Sequence, residues 1–113
     1  ATLLEMDVDV RGEMGRVRGL LRKDSGLLAE MHRILSMVAE REGEDDEAIL
    51  QMELATRRNP SVVSYWFRLA KLCESTGQRR KALDTFEALM ARDPGNQKAA
   101  SAVQRLRESL GTL

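Results

Sequence analysis

Residues 63–96 read VSYWFRLAKLCESTGQRRKALDTFEALMARDPGN, and residues 29–62 read AEMHRILSMVAEREGEDDEAILQMELATRRNPSV. The two stretches align without a gap at an offset of 34 residues. The offset pairs Leu35 with Leu69, Val38 with Leu72, Ala39 with Cys73, Gly43 with Gly77, Ala48 with Ala82, Ile49 with Leu83, Met52 with Phe86 and Pro60 with Pro94. A repeat of this length is one supersecondary unit, too short to bury its apolar face alone, and it must stack on a copy of itself. The expected class is therefore all-α, built from stacked antiparallel helical hairpins.

Each unit carries its own punctuation. Met31, Ile34, Leu35, Val38 and Ala39 fall at helical spacing, which predicts a helix over Ala29–Glu42. Gly43 ends it as a left-handed cap. Glu44, Asp45, Asp46 and Glu47 open a second helix, where acids suit the helix dipole, and Ala48, Ile49, Met52 and Ala55 form its apolar side. Asn59-Pro60 stops it, because the residue before proline is pushed out of the helical region. The cycle then recurs: Val63–Thr76 as helix, Gly77 as cap, Arg79–Arg92 as helix, and a turn at Asp93-Pro94-Gly95-Asn96. A fifth helix is expected from Gln97 to about Leu110, with Val103, Leu106 and Gly111 placed 34 residues after Leu69, Leu72 and Gly77.

The expected organisation is an N-terminal helical segment (1–28), a first repeat (29–62), a second repeat (63–96) and a half repeat or C-terminal capping helix (97–113). In the N-terminal segment Leu3, Met6, Val10, Met14, Val17 and Leu21 form a helical stripe. Gly12, Gly15 and Gly19 also lie in it, each costing a helix about 1 kcal/mol against alanine. Two readings stand for them: close approach to another helix, or a frayed helix. Lys23-Asp24-Ser25-Gly26 is read as the turn before the first clear repeat.

The chain has 113 residues, 42% hydrophobic and 32% charged, enough for one small core. Only Tyr65, Trp66, Phe67 and Phe86 are aromatic. Eighteen basic and eighteen acidic residues cancel, which argues against a nucleic-acid domain. One cysteine and one histidine exclude an internal disulfide and the clusters that bind zinc. No apolar run approaches the roughly 20 residues of a membrane span. The chain is expected to be soluble, in the cytoplasm or as the soluble domain of a larger membrane-associated protein.

The second unit resembles the tetratricopeptide repeat family. Trp66, Leu69, Ala70, Cys73, Gly77, Ala82, Phe86 and Pro94 stand where that family places its large, small and turn residues. The first unit is more degenerate, with His32 in the place of Trp66, Ser36 for Ala70 and Met52 for Phe86. The resemblance covers Ala29–Asn96 well, Gln97–Leu110 in part and Ala1–Leu28 poorly. It implies a right-handed superhelix whose first helices line a concave groove. In that groove Arg33, Phe67 and Ser101 would occupy equivalent places, as would Met37, Lys71 and Arg105. Glu30, Ser64 and Lys98 form a third row, and Glu40, Glu74 and Glu108 a fourth.

No catalytic set, phosphate loop or metal-ligand set stands out, and no cofactor is expected. His32 and Cys73 occupy packing positions, and the thiol is expected to be buried and inert. The candidate site is the groove: Arg33, Met37, Phe67, Lys71 and Arg105, an apolar ring surrounded by positive charge. It would take a helix or extended peptide of a partner protein with an apolar anchor and an acidic group. The family's carboxylate clamp for chaperone tails is not expected, since Met37 and Lys71 stand where amides belong. The leading function is a protein-interaction scaffold or adaptor. The alternatives are a self-association module acting through the N-terminal helix, and an accessory domain of a larger enzyme or of an assembly or secretion factor.

Charge is uneven between the units. Eight acids against four bases leave 29–62 at −4, and four against six leave 63–96 at +2. The acidic turn at 44–47 and the basic one at 78–81 are therefore expected to attract each other across the stack.

Overall fold

The computed structural model describes residues 25–111, which form five helices and no strand. They are α1 (Ser25–Arg41), α2 (Asp45–Arg58), α3 (Val63–Ser75), α4 (Arg79–Arg92) and α5 (Gln97–Ser109). Each helix packs on its neighbours in the chain, so the stack is quasi-linear. The Leu3–Leu21 stripe and its three glycines lie outside the described residues.

Helix ends follow the local chemistry. Gly43 and Gly77 have φ of 75° and 84°, a region open to glycine and costly for other residues. At the end of α3, Gln78 N–H donates to Cys73 O (2.8 Å) and Gly77 N–H to Glu74 O (3.1 Å). Glu44 and Gly43 make the same pair of bonds to Ala39 and Glu40 at the end of α1. This pair of hydrogen bonds satisfies carbonyls that the helix itself leaves orphaned. At the start of α5, the Asn96 side chain accepts from Ala99 N–H at 3.0 Å. One boundary differs from expectation. Ser25 and Gly26, read as part of a turn, are helical, and α1 begins four residues earlier than Ala29. Gly26 sits in the first turn, where it interrupts no helix interior.

The core is continuous through the hairpins. Ala48, Met52 and Ala55 of α2, Leu69, Ala70, Leu72 and Cys73 of α3, Ala82, Phe86 and Leu89 of α4, and Val103 and Leu106 of α5 are all buried. The small residues let helix axes approach, and Phe86 and Met52 fill the space between them. Ser36, also buried, resolves its hydroxyl by donating to Ala48 O at 2.7 Å, a bond from α1 to α2. Cys73 is buried as expected, and burial pushes its thiol up. Lys81 pulls the thiol down and Glu53 opposes that pull.

Two expectations about packing change. Met31, Ile34, Leu35, Val38 and Ala39 of α1 were read as one helical face, yet only Ala39 of it is buried. Leu27, Met31, Ile34, Leu35 and Val38 are about half exposed. No hairpin precedes α1 among the described residues, so its outer face lacks a neighbour. The basic turn also finds a different acid: Lys81 pairs with Glu53 of α2 at 3.3 Å, and Arg80 with Asp84 one turn along α4. Glu53 is carried alongside α4 by the packing of the two hairpins, whereas the acids at 44–47 are spent on the first turn of α2.

Candidate functional site

Phe67, on α3, leans edge-on against the buried Phe86 of α4, with ring centroids 5.8 Å apart and planes at 74°. Phe67 is itself half-buried, so one side of its ring supports the core and the rest faces outward. Beside it opens a cavity of about 450 Å³ lined by Phe67, Lys71, Phe86, Gln97, Lys98, Ser101, Ala102 and Arg105. The cavity therefore lies between side chains of α3 and α5, with the buried Phe86 of α4 also in its wall.

Three basic side chains, Lys71, Lys98 and Arg105, line this cavity. Glu74 engages two of them. It accepts from Arg105 Nη1 and Nη2, the latter at 3.2 Å, and stands 4.0 Å from Lys71 Nζ. One carboxylate against three cations leaves the wall with an excess of positive charge. A second, smaller cavity of about 220 Å³ is lined by Glu40, Arg68, Lys71, Leu72 and Ser75. Lys71 belongs to both, so the two hollows adjoin along α3. Within the smaller one Arg68 Nη2 donates to Glu40 at 2.8 Å, while Arg68 Nε is buried without a partner.

The five residues expected to form the groove thus divide. Phe67, Lys71 and Arg105 line one cavity. Arg33 and Met37 do not join them; they belong to a cluster on the first hairpin. There Arg33 Nε donates to Glu30 at 2.8 Å, and Arg33 Nη1 approaches Met37 Sδ at 3.5 Å. The Tyr65 hydroxyl donates to the same Glu30 carboxylate at 2.6 Å. Glu30 is claimed by a base on its own helix and by a phenol from α3, and that contact ties Arg33 down. Lys98, Ser101 and Gln97 also line the cavity; Ser101 and Lys98 stood in the expected rows of the groove but outside the five candidate residues, and Gln97 stood in neither. The offset of 34 residues was the available signal, since it places Ser101 after Phe67 and Lys98 after Ser64.

The Glu30 cluster has a pH signature. The hydrogen bond from Arg33, and then that from Tyr65, lowers the Glu30 carboxyl from its ordinary 4.5 to about 2. A carboxyl depressed on folding stabilises the fold above its unfolded value. That contribution fades as pH falls from 4.5 through about 2. The pair is partly exposed, so the effect is expected at about 0–1 kcal/mol. Thermal midpoints measured from pH 6 to 2 should fall more steeply for the native chain than for Glu30→Gln; parallel curves would remove the assignment.

His32, in the position held by Trp66 in the next unit, is half-buried, and its Nδ1 lies 2.7 Å from Gln51 Oε1. It bridges α1 and α2, in keeping with a packing role. Trp66 itself donates its indole N–H to Pro60 O at 2.9 Å, and the Arg92 guanidinium lies 4.1 Å above its ring. Among the described residues no group of three or more His, Cys, Asp or Glu could hold a metal ion. No described helix is long and apolar enough to cross a membrane.

No family model matches this sequence. The chain is 32% identical over 72 residues to the tetratricopeptide repeat domain-containing protein PYG7, chloroplastic, of Arabidopsis thaliana, a match covering 64% of this chain and 24% of that protein. It thus spans about a quarter of that relative's length. Among solved structures, a crystal structure of MamA protein superposes with a TM-score of 0.66 at 24% identity, over 74% of this chain and 45% of that one. An arginine-to-glutamate mutant of MamA superposes at 0.63 with 20% identity, over 92% of this chain and 79% of that one. The sequence likeness is to a tetratricopeptide repeat domain-containing protein, and the likeness to the two solved structures shows the fold, a stack of helical hairpins.

Proposed function

We propose that the hollow between α3 and α5 takes a segment of a partner protein, with an apolar side chain laid against Phe67 and a carboxylate held by Lys71, Lys98 and Arg105. The observation that carries this reading is the lining of the 450 Å³ cavity: one outward-facing aromatic ring bordered by three cations. An aromatic ring already anchored on Phe86 loses little freedom on binding, which favours it as a contact. A peptide carboxylate would compete with Glu74 for Arg105, so attraction is shared rather than added. The smaller hollow at Arg68 and Ser75 continues the path and would follow an extended chain along α3. In this reading the organisation into units 29–62 and 63–96, with 97–113 completing the groove, is what builds the site, and Arg33 and Met37 act only through the shape of its first hairpin.

The protein acts here as a scaffold without chemistry of its own. The test is capture of an acidic, apolar-anchored peptide measured by fluorescence anisotropy. Phe67→Ala is expected to weaken binding by at least tenfold, and the pair Lys71→Ala and Arg105→Ala to do the same while flattening the salt dependence. Each variant should keep the helical circular dichroism of the native chain. Unchanged binding in both would remove the groove reading.

A further inference from the structure

We infer that the hollow between α3 and α5 reads the phosphorylation state of its partner, holding a phosphoserine of the bound segment more tightly than a carboxylate at the same place. The inference rests on the groove reading and adds the identity of the anion. It begins from the charges of the wall. α3 brings Lys71 and Glu74, α5 brings Lys98 and Arg105, and α4 contributes only Phe86 to the lining. Glu74 is taken up by Arg105 and Lys71, and its side chain is only 19% exposed. Lys98 is exposed and pairs with no acid among the described residues. The first turn of α5 holds no acid to offset it. Glu108, further along α5, is exposed and stands outside the lining of the cavity. Three cations against one carboxylate leave the wall at +2. Elsewhere along these helices the acids are already matched: Glu40 accepts from Arg68, and Glu30 from Arg33. The excess therefore sits at this hollow.

The occupant follows from charge complementarity. A carboxylate brings one negative charge and leaves half of the excess unanswered. A phosphoserine at neutral pH carries about −1.5 to −2 and presents three strong acceptor oxygens. Those oxygens suit a wall whose cations come from two helices, and Gln97 and Ser101 add neutral donors to the same lining. The cavity, at about 450 Å³, leaves room for an apolar side chain against Phe67 and a phosphoryl group beside it. The unphosphorylated segment keeps only the apolar contact. Phosphorylation of the partner would then switch capture on, with no change of fold in this chain.

The test uses the full chain and fluorescein-labelled peptide pools, degenerate but for one leucine and a central serine, glutamate or phosphoserine. At pH 7.5 the phosphoserine pool is expected to bind about tenfold tighter than the glutamate pool by anisotropy. At pH 5.5 most of the phosphate dianion is protonated, its second pKa being about 6, while glutamate, lysine and arginine stay charged. The advantage should then shrink by about threefold. His32, the one histidine, is held against Gln51 on the first hairpin, so it adds no charge to the hollow over this range. Lys98→Ala, a change at an exposed side chain, should narrow the gap between the two pools at least threefold. Equal binding of the phosphoserine and glutamate pools, both weakened by Phe67→Ala, would overturn the phosphate assignment and leave the groove reading standing. Binding of no pool would remove both. A phosphate advantage untouched by Lys98→Ala and by Lys71→Ala would put the anion elsewhere and overturn the proposal as well.

Discussion

Phe86→Ala is expected to cost the fold about 3–5 kcal/mol. The ring is fully buried, meets Phe67 edge-on and lines the cavity beside it. Small domains hold only about 5–15 kcal/mol in total, so the loss is a large part of what keeps the chain folded. Urea denaturation should show the midpoint falling sharply, with the slope little changed if the remaining stack unfolds as before. Phe86→Met provides the control. Methionine already fills the equivalent buried place at Met52, and the swap should lose less than about 1.5 kcal/mol. A midpoint in Phe86→Ala close to native would mean that the ring is not central to packing. The same variant should weaken groove binding beyond its effect on stability, because Phe67 loses the surface it leans on.

Leu106→Ala is the second large effect, expected at about 2–5 kcal/mol. Leu106 is the fully buried anchor of α5, the last described helix, which packs chiefly on α4. In a quasi-linear array an end element opens before the middle does. Amide exchange should therefore rise across Gln97–Ser109 first, while α3 keeps its protection. Lys98, Ser101 and Arg105 leave with that helix, so peptide binding should be lost at temperatures where the rest of the chain remains folded. Uniform loss of protection through all five helices would show instead that the stack unfolds as one unit.

Residues whose structure depends on their own neighbourhood were legible from sequence. Gly43 and Gly77 cap helices because only glycine sits comfortably at their backbone angles, and Pro60 and Pro94 act through their rings. Small residues such as Ala70 and Ala82 are buried because the same position recurs in each unit. What could not be read was anything set by a neighbour far along the chain. Leu35 and Leu69 have the same side chain and the same place in the repeat, yet among the described residues only Leu69 has a hairpin before it to hide it. Arg33 sits at the position of Phe67, but its charge finds Glu30 one turn away and a phenol from the next unit holds that carboxylate. Phe67, Lys71 and Arg105 line one cavity because the packing of α5 on α4 leaves a hollow beside α3. Gln97 joins them through where the first turn of α5 lands, which the rows of the repeat did not include.

The seat of Trp66 has a practical consequence. The chain has a single tryptophan, set between the carbonyl of Pro60, in the loop joining the hairpins, and the guanidinium of Arg92, at the far end of α4. Light emitted by that indole therefore comes from the seam between two hairpins and nowhere else. Its colour and brightness give a label-free gauge of whether that seam is closed, native to the chain and silent about everything remote from it.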